Sequence, residues 1–173
     1  ALIRRIRGFL SRATRVIDID HANANAITFS SLREGFNVVQ LYRLSEAEKR
    51  VVVNAVVRVI TQGLEQPDSH LDRVIVIMDE LNKYAPRRSS PVKEQIIDIV
   101  ARGRDLRFSL IGAQQFASEI DKQVLGNTST KIVGITDRVE LDNQIYRYLG
   151  ELRNLADKLR KGEMIIYHPT YPV

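Results

Sequence analysis

The sequence predicts an α/β domain with a largely parallel sheet flanked by helices. Three observations carry that expectation. Short continuous apolar runs of strand length alternate with longer stretches of helical periodicity. The runs are apolar at successive positions, the pattern of strands covered on both faces in a parallel sheet. Helix start and stop signals fall between them.

Taken in order, residues 2–13 place Leu2, Ile3, Ile6, Phe9, Leu10 and Ala13 at helical spacing with arginines between them. Residues 16–37 are less regular: Ile17 and Ile19 alternate with Asp18 and Asp20, and the stretch around Asn23 and Asn25 reads as a loop. Residues 38–42 read as a buried strand. Ser45 and Glu48 form the Ser-x-x-Glu signature of a capping box. The helix it opens carries Ala47, Val51, Ala55 and Val59 among further valines and reaches a stop signal at Gly63. Residues 74–78, Val-Ile-Val-Ile-Met, form the clearest strand. A loop to Pro91 leads into a helix through Arg102 with Val92, Ile96, Ile97 and Val100 on one stripe. Residues 108–113 give another strand, residues 120–125 a short helix, residues 131–135 a strand and residues 164–167 a last strand. Asp137 and Glu140 repeat the capping-box spacing, and Gly150 and Gly162 are read as helix stops.

Composition narrows the class. The chain has 173 residues, long enough for one core, and no run of eighteen apolar residues that would span a bilayer. With no cysteine there is no disulfide framework, thiolate metal site or thiol nucleophile, and with no secretory leader pattern a cytoplasmic protein is expected. The formal net charge of +5 belongs to one segment: Arg4, Arg5, Arg7, Arg12 and Arg15 precede the first acidic residue, and the remainder is balanced. His21, His70 and His168 show no ligand spacing, so no metal site other than magnesium is assigned.

Asp79 and Glu80 directly follow the 74–78 run. Charged residues can simply end a strand, but in a parallel sheet ligands bind at the carboxyl ends of strands, which puts two carboxylates where chemistry is usually done. One carboxylate can hold magnesium directly or through water, and the other can orient a water attacking a phosphate. Gly112-Ala113-Gln114-Gln115 closes the next strand, and a glutamine amide there can donate to a phosphate and accept from a water. Between them, Arg102, Arg104 and Arg107 cluster at a helix end, where an arginine is ordinarily just favourable with the helix dipole, the default for at least two of the three; a guanidinium on a short turn is also the form an arginine finger takes toward a neighbouring subunit.

With these three elements in order, residues 37–168 resemble the HerA/FtsK superfamily of P-loop DNA-translocating ATPases, and within it the HerA-like branch. The most specific stretches are residues 74–86, similar to the Walker B strand and the loop after it, and residues 101–115. The family's Gly-Arg-Lys turn is here Gly103-Arg104-Asp105, and its Gln-Arg-Pro sensor region is here Gln115-Phe116-Ala117-Ser118, two departures that bear on the subfamily more than the superfamily. The resemblance implies a RecA-like P-loop NTPase core, ATP and Mg2+ as cofactors, and roles by position. Asp79 would assist Mg2+ coordination, Glu80 would be the catalytic base or water-orienting residue, Gln115 the γ-phosphate sensor and Arg104 a finger acting in trans. It further implies ATP hydrolysis at the subunit interfaces of a hexameric ring, double-stranded DNA threaded through that ring, a helicase or translocase role in end processing and DNA repair, and partnership with a NurA-type nuclease.

No Gly-x-x-x-x-Gly-Lys-Ser/Thr occurs in the 173 residues, so the Walker A loop that cradles phosphates is not among them. The expectation is therefore an incomplete core, the C-terminal part of a longer ATPase, inactive by itself. Residues 1–36 form a basic helix and irregular lead-in, and residues 37–173 the C-terminal part of the ATPase core. A core lacking its P-loop strand would leave strand edges unpaired and apolar faces exposed. Lys83, Arg87 and Arg88 are candidates for non-specific DNA contact, since residues 83–107 hold seven basic and three acidic side chains. Tyr84, Tyr146 and Tyr148 are read as packing residues. The competing readings are a non-hydrolysing interaction or nucleic-acid-binding module of degenerate ATPase fold, and a conjugation or secretion motor of the same superfamily.

Overall fold

The computed structural model describes residues 27–170. The expected helix over residues 2–13, the Ile17 and Ile19 alternation and the loop around Asn23 lie outside the described residues.

Ser45 opens α1 (Glu46–Leu64) as predicted: Glu48 donates its N–H to Ser45 Oγ at 3.4 Å, and the Ser45 N–H donates to Glu48 Oε2 at 2.7 Å. The buried stripe is Val53, Val57, Ile60 and Leu64, on a different face from the Ala47, Val51, Ala55, Val59 stripe expected. The run Val-Val-Val-Asn-Ala-Val-Val-Arg-Val-Ile is apolar nearly all round, so periodicity does not select a face. The helix continues past Gly63, where the Phe29 ring lies over the bare Cα and a Cβ would sit 2.0 Å from Phe29 Cγ.

After α1 the chain enters β1 (Val74–Met78), then α2 (Pro91–Arg102), then β2 (Phe108–Gly112). Ser90 caps α2 by accepting the Lys93 N–H at 3.2 Å, and Pro91 takes a first-turn position where no N–H is needed. The two strands pair in parallel through five positions, Val74 against Phe108 to Met78 against Gly112, with α2 as the crossover. The main core gathers the inner faces of α1 and α2, Met78, Phe108, Leu81, Tyr84, Ile120 and Val124 of α3 (Lys122–Asn127).

A second, smaller cluster is built on β3 (Lys131–Val133), α4 (Arg138–Leu141), a 3₁₀ stretch over Gln144–Leu152 kinked at Gly150, α5 (Arg153–Ala156) and β4 (Ile165–Tyr167). β3 and β4 pair antiparallel, as a two-stranded sheet separate from β1 and β2. Gly162 does not stop a helix. It makes a turn at φ +93° after α5 has ended at Ala156.

Residues 38–42 are not a strand. They have the composition of one, but among the described residues no partner edge meets them, and Val38 and Tyr42 are exposed. The β1–β2 pair is likewise covered on one face only. Val74, Val76 and Met78 turn inward, whereas Ile75, Ile77 and Ile111 are more than half exposed. The parallel pair with its helices fits an incomplete RecA-like core, with the open apolar face expected of one. Among the described residues no helix is long and apolar enough to cross a membrane.

Candidate active site

The parallel register decides which sequence-predicted residues meet. Two strands of equal length start and finish level, so Asp79 and Glu80 leave β1 beside the point where Ala113, Gln114 and Gln115 leave β2. Main-chain bonds continue past the strands. Ala113 donates its N–H to the Met78 carbonyl at 2.9 Å, and Leu81 donates to the Ala113 carbonyl at 3.0 Å. The acid pair and the glutamine segment thus share one edge at the carboxyl end of the pair, where α/β sheets bind ligands.

Asp79 is exposed and accepts the Glu80 N–H on Oδ1 at 3.0 Å. Glu80 adopts φ 56°, ψ 50°, the left-handed region that a residue with a Cβ enters at a cost. The turn lets the chain reverse from β1 into the Leu81–Lys83 3₁₀ turn and leaves the Glu80 carboxylate half-exposed, 3.4 Å from the Lys83 ammonium. Lys83, a DNA candidate in sequence, is therefore engaged with the acid pair.

Of the two glutamines, Gln115 is exposed. Gln114 is half-buried, and its Oε1 is buried with no hydrogen-bond donor. Asn82, on the facing turn, donates Nδ2 to Glu119 Oε2 at 2.7 Å and also keeps a buried Oδ1 without a donor. Gln114 belongs to the glutamine pair read from sequence, whereas Asn82 carries no signal there beyond adjacency to the motif residues. Buried unpaired oxygens of this kind also occur on Asn54, Gln95 and Asp157, away from the acid pair.

Arg104 is placed elsewhere. Its carbonyl accepts the Arg107 N–H at 3.3 Å, and the Arg107 carbonyl accepts the Val74 N–H at 3.1 Å, so Arg104 sits at the amino ends of the strands. Five residues at about 3.3 Å each put it roughly 16 Å from the acid pair of its own chain. Gly103 permits the turn, since a Cβ there would lie 2.7 Å from the Phe108 carbonyl oxygen and 2.8 Å from that of Ile99.

Arg87 and Arg88 are exposed on the loop between the Leu81–Lys83 turn and α2. That loop is held on both sides: Arg87 donates its N–H to the Glu119 carbonyl, Pro86 bridges to Ile120, and Lys93 pairs with Asp121 at 3.0 Å. Tyr84 beside it is a packing residue, 7% exposed, its phenol pushed up by burial and then by Glu46. Tyr146 and Tyr148 also pack. Burial pushes the Tyr146 phenol up, reinforced by Glu140, and pushes Tyr148 up to about 12. Lys131 lies over the Tyr148 and Tyr167 rings at 5.3 and 5.8 Å, and burial lowers its ammonium pKa.

A groove of about 1120 Å³ opens beside the site, with Val38, Val53, Val57, Ile75 and Ile77 in its lining together with Asp79 and Glu80. Asp79 has the chemistry of a magnesium ligand, an exposed hard oxygen donor. Among the described residues no cluster of three or more His, Cys, Asp or Glu surrounds it.

No family model and no curated protein matches the chain. Among solved structures, the genome packaging NTPase B204 from Sulfolobus turreted icosahedral virus 2, in complex with ATP-gammaS, is similar in fold. The TM-score is 0.55 at 15% identity, covering 99% of this chain and 87% of that one.

Proposed function

We propose that the chain is the Walker B and sensor part of an ATP-driven DNA-translocating motor of the HerA/FtsK type. The observation that carries this reading is the Asp79–Glu80 pair at the carboxyl end of β1, locked by the Leu81–Ala113 bond to the glutamine segment leaving β2. The fold likeness to a genome packaging NTPase bound to an ATP analogue supports the same reading.

In this reading Asp79 holds Mg2+, and Glu80 accepts a proton from, or orients, the water attacking the γ-phosphate. Magnesium supplies charge neutralisation at the phosphates. Gln115 or the less exposed Gln114 contacts the γ-phosphate and that water. Arg104, at the far end of its own strands, serves only the site of a neighbouring subunit, which ties hydrolysis to ring assembly. Arg87 and Arg88 contact DNA phosphates without reading sequence, at reduced affinity in higher salt. A Walker A loop from a longer chain completes the site, and the 173 residues alone turn over no ATP. End processing and repair, a hexameric ring and a NurA-type nuclease partner follow from the resemblance.

The absence of a Walker A sequence from these residues favours one second reading, a non-hydrolysing module of this fold. One experiment separates them. In the full-length protein, Glu80→Gln preserves ATP binding and lowers kcat by about 10²- to 10⁴-fold. Unchanged turnover discards the role of Glu80, and a full-length wild type that binds no ATP leaves the non-hydrolysing module.

A further inference from the structure

Glu140 is a charged residue in a costly place. It is 6% exposed and, among the described residues, forms no ion pair. Its spacing from Asp137 suggests a capping box, but it does not close one. Asp137 caps α4 by accepting the Val139 N–H at 2.8 Å, and the Glu140 carboxylate turns away toward the segment that follows β2. There Oε1 accepts the Ser118 N–H at 2.8 Å and the Tyr146 hydroxyl at 3.2 Å. Oε2 accepts the Ser118 hydroxyl at 2.6 Å and the Asn143 Nδ2 at 3.5 Å.

The glutamine segment is held at its far end by Ser118 and by the next residue, Glu119, which accepts the Asn82 amide and the Arg87 N–H. Its near anchor is Ala113, bonded to Met78 and Leu81 of the acid-pair strand and turn. Gln114, Gln115, Phe116 and Ala117 are strung between these two points, and the second anchor belongs to the smaller cluster. We propose that Glu140 is a positioning residue: it holds Ser118 by two charge-assisted bonds, fixes Gln114 and Gln115 beside the acid pair, and couples their position to the β3–β4 unit. Glu140 touches no substrate and acts through Ser118. The proposal rests on the nucleotide-site reading for its kinetic consequence, though the clamp itself does not.

A γ-phosphate contact misplaced by about 1 Å can cost on the order of 100-fold in rate, so loosening Ser118 is expressed in kcat. In Glu140→Gln one acceptor oxygen becomes an NH2 donor facing the Ser118 donors. Ser118→Ala deletes only the hydroxyl bond and leaves the carboxylate in place, and Ser118→Thr keeps the hydroxyl.

The test uses the full-length protein, with steady-state ATP hydrolysis and hydrogen exchange of amides 113–118. The expected result is a kcat lowered about 10- to 100-fold in Glu140→Gln with KM within about twofold, and faster exchange at Ser118. A smaller loss of the same kind follows in Ser118→Ala, no further loss in the double variant, and most of the rate returns in Ser118→Thr. Folded Glu140→Gln and Ser118→Ala variants with wild-type kcat and wild-type exchange overturn the proposal, as does a loss confined to melting temperature. If Glu140→Gln does not fold, the two Ser118 variants decide. If the wild type neither binds nor hydrolyses ATP, the nucleotide reading falls separately, and exchange at Ser118 in Glu140→Gln alone decides the clamp: unchanged protection overturns it.

Discussion

Leu81 donates its backbone N–H to the Ala113 carbonyl at 3.0 Å, and the Leu81 side chain covers Gly112. The two segments that carry the candidate chemistry are thereby joined by main chain on one side and by packing on the other. A Cβ added at Gly112 would fall 2.3 Å from Leu81 Cδ2 and 3.2 Å from Leu81 Cβ and Cγ.

Gly112→Ala is therefore expected to destabilise the chain by about 1–3 kcal/mol, because Leu81, 5% exposed and packed in the main core, must shift to admit the methyl group. Urea denaturation measures this. Adding Leu81→Ala to that background should cost less than Leu81→Ala alone, and purely additive losses would show that the two side chains do not meet.

The main core and the open sheet faces should answer differently to truncation. Ile96 is fully buried, and Ile96→Ala is expected to cost about 2–5 kcal/mol. Ile132 on β3 is 60% exposed, and Ile132→Ala should stay within about 0.5 kcal/mol. Equal losses at the two positions in chemical denaturation would contradict the burial pattern.

Acid should weaken the α3 terminus. The Asp121 carboxyl is held below the usual carboxylate range, first by the Gln123 N–H and then by the Lys93 ammonium, with burial opposing both. A lowered folded-state pKa contributes stability that is present above the unfolded value, about 3.9, and is lost as pH falls through the folded value. Asp121→Asn keeps the cap but leaves the Lys93 ammonium without its carboxylate. It should cost about 1–3 kcal/mol at neutral pH and flatten the acid limb of a stability-against-pH curve. An unchanged acid limb would remove Asp121 from the account.

Glu80 should be more costly to stability than its replacements. The left-handed backbone disfavours a glutamate and suits glycine or asparagine, while the half-exposed Lys83 pair contributes little. Glu80→Asn and Glu80→Gly are expected to unfold at equal or higher denaturant, with a gain of up to about 1 kcal/mol, and under the proposed function to lose turnover. Lower stability in both variants would mean that the carboxylate, not the backbone, dominates this position.

These particulars also show where sequence is informative. The Ser45 box, the helix start near Pro91 and the two short apolar runs that pair in parallel were readable because each is local chemistry with one good solution. Residues 38–42 were not, since a strand requires a partner edge as well as an apolar run. The buried face of α1 was not, because valines surround it. Asp137 and Glu140 have the spacing of Ser45 and Glu48, yet Ser118, distant in sequence, offers Glu140 two donors and takes it from the cap. The antiparallel direction of β3 and β4 is a property of their connection and not of their residues. At the site, the meeting of Asp79 and Glu80 with the glutamines was legible from strand order and length. The unpaired oxygens of Gln114 and Asn82 were not, because neighbouring side chains on one turn differ only in where they point.

The left-handed conformation at Glu80 also bears on how this sequence can change over time. At most sites a substitution that removes activity also removes stability or leaves it alone, so decay is held back by folding itself. Here the fold pulls the other way. A copy released from any need to handle nucleotide would gain stability by exchanging this glutamate for glycine or asparagine, and a single codon change from glutamate reaches glycine. A glutamate still in that conformation is what a chain under demand for a carboxylate there would retain, and under the proposed function position 80 becomes the residue to inspect first.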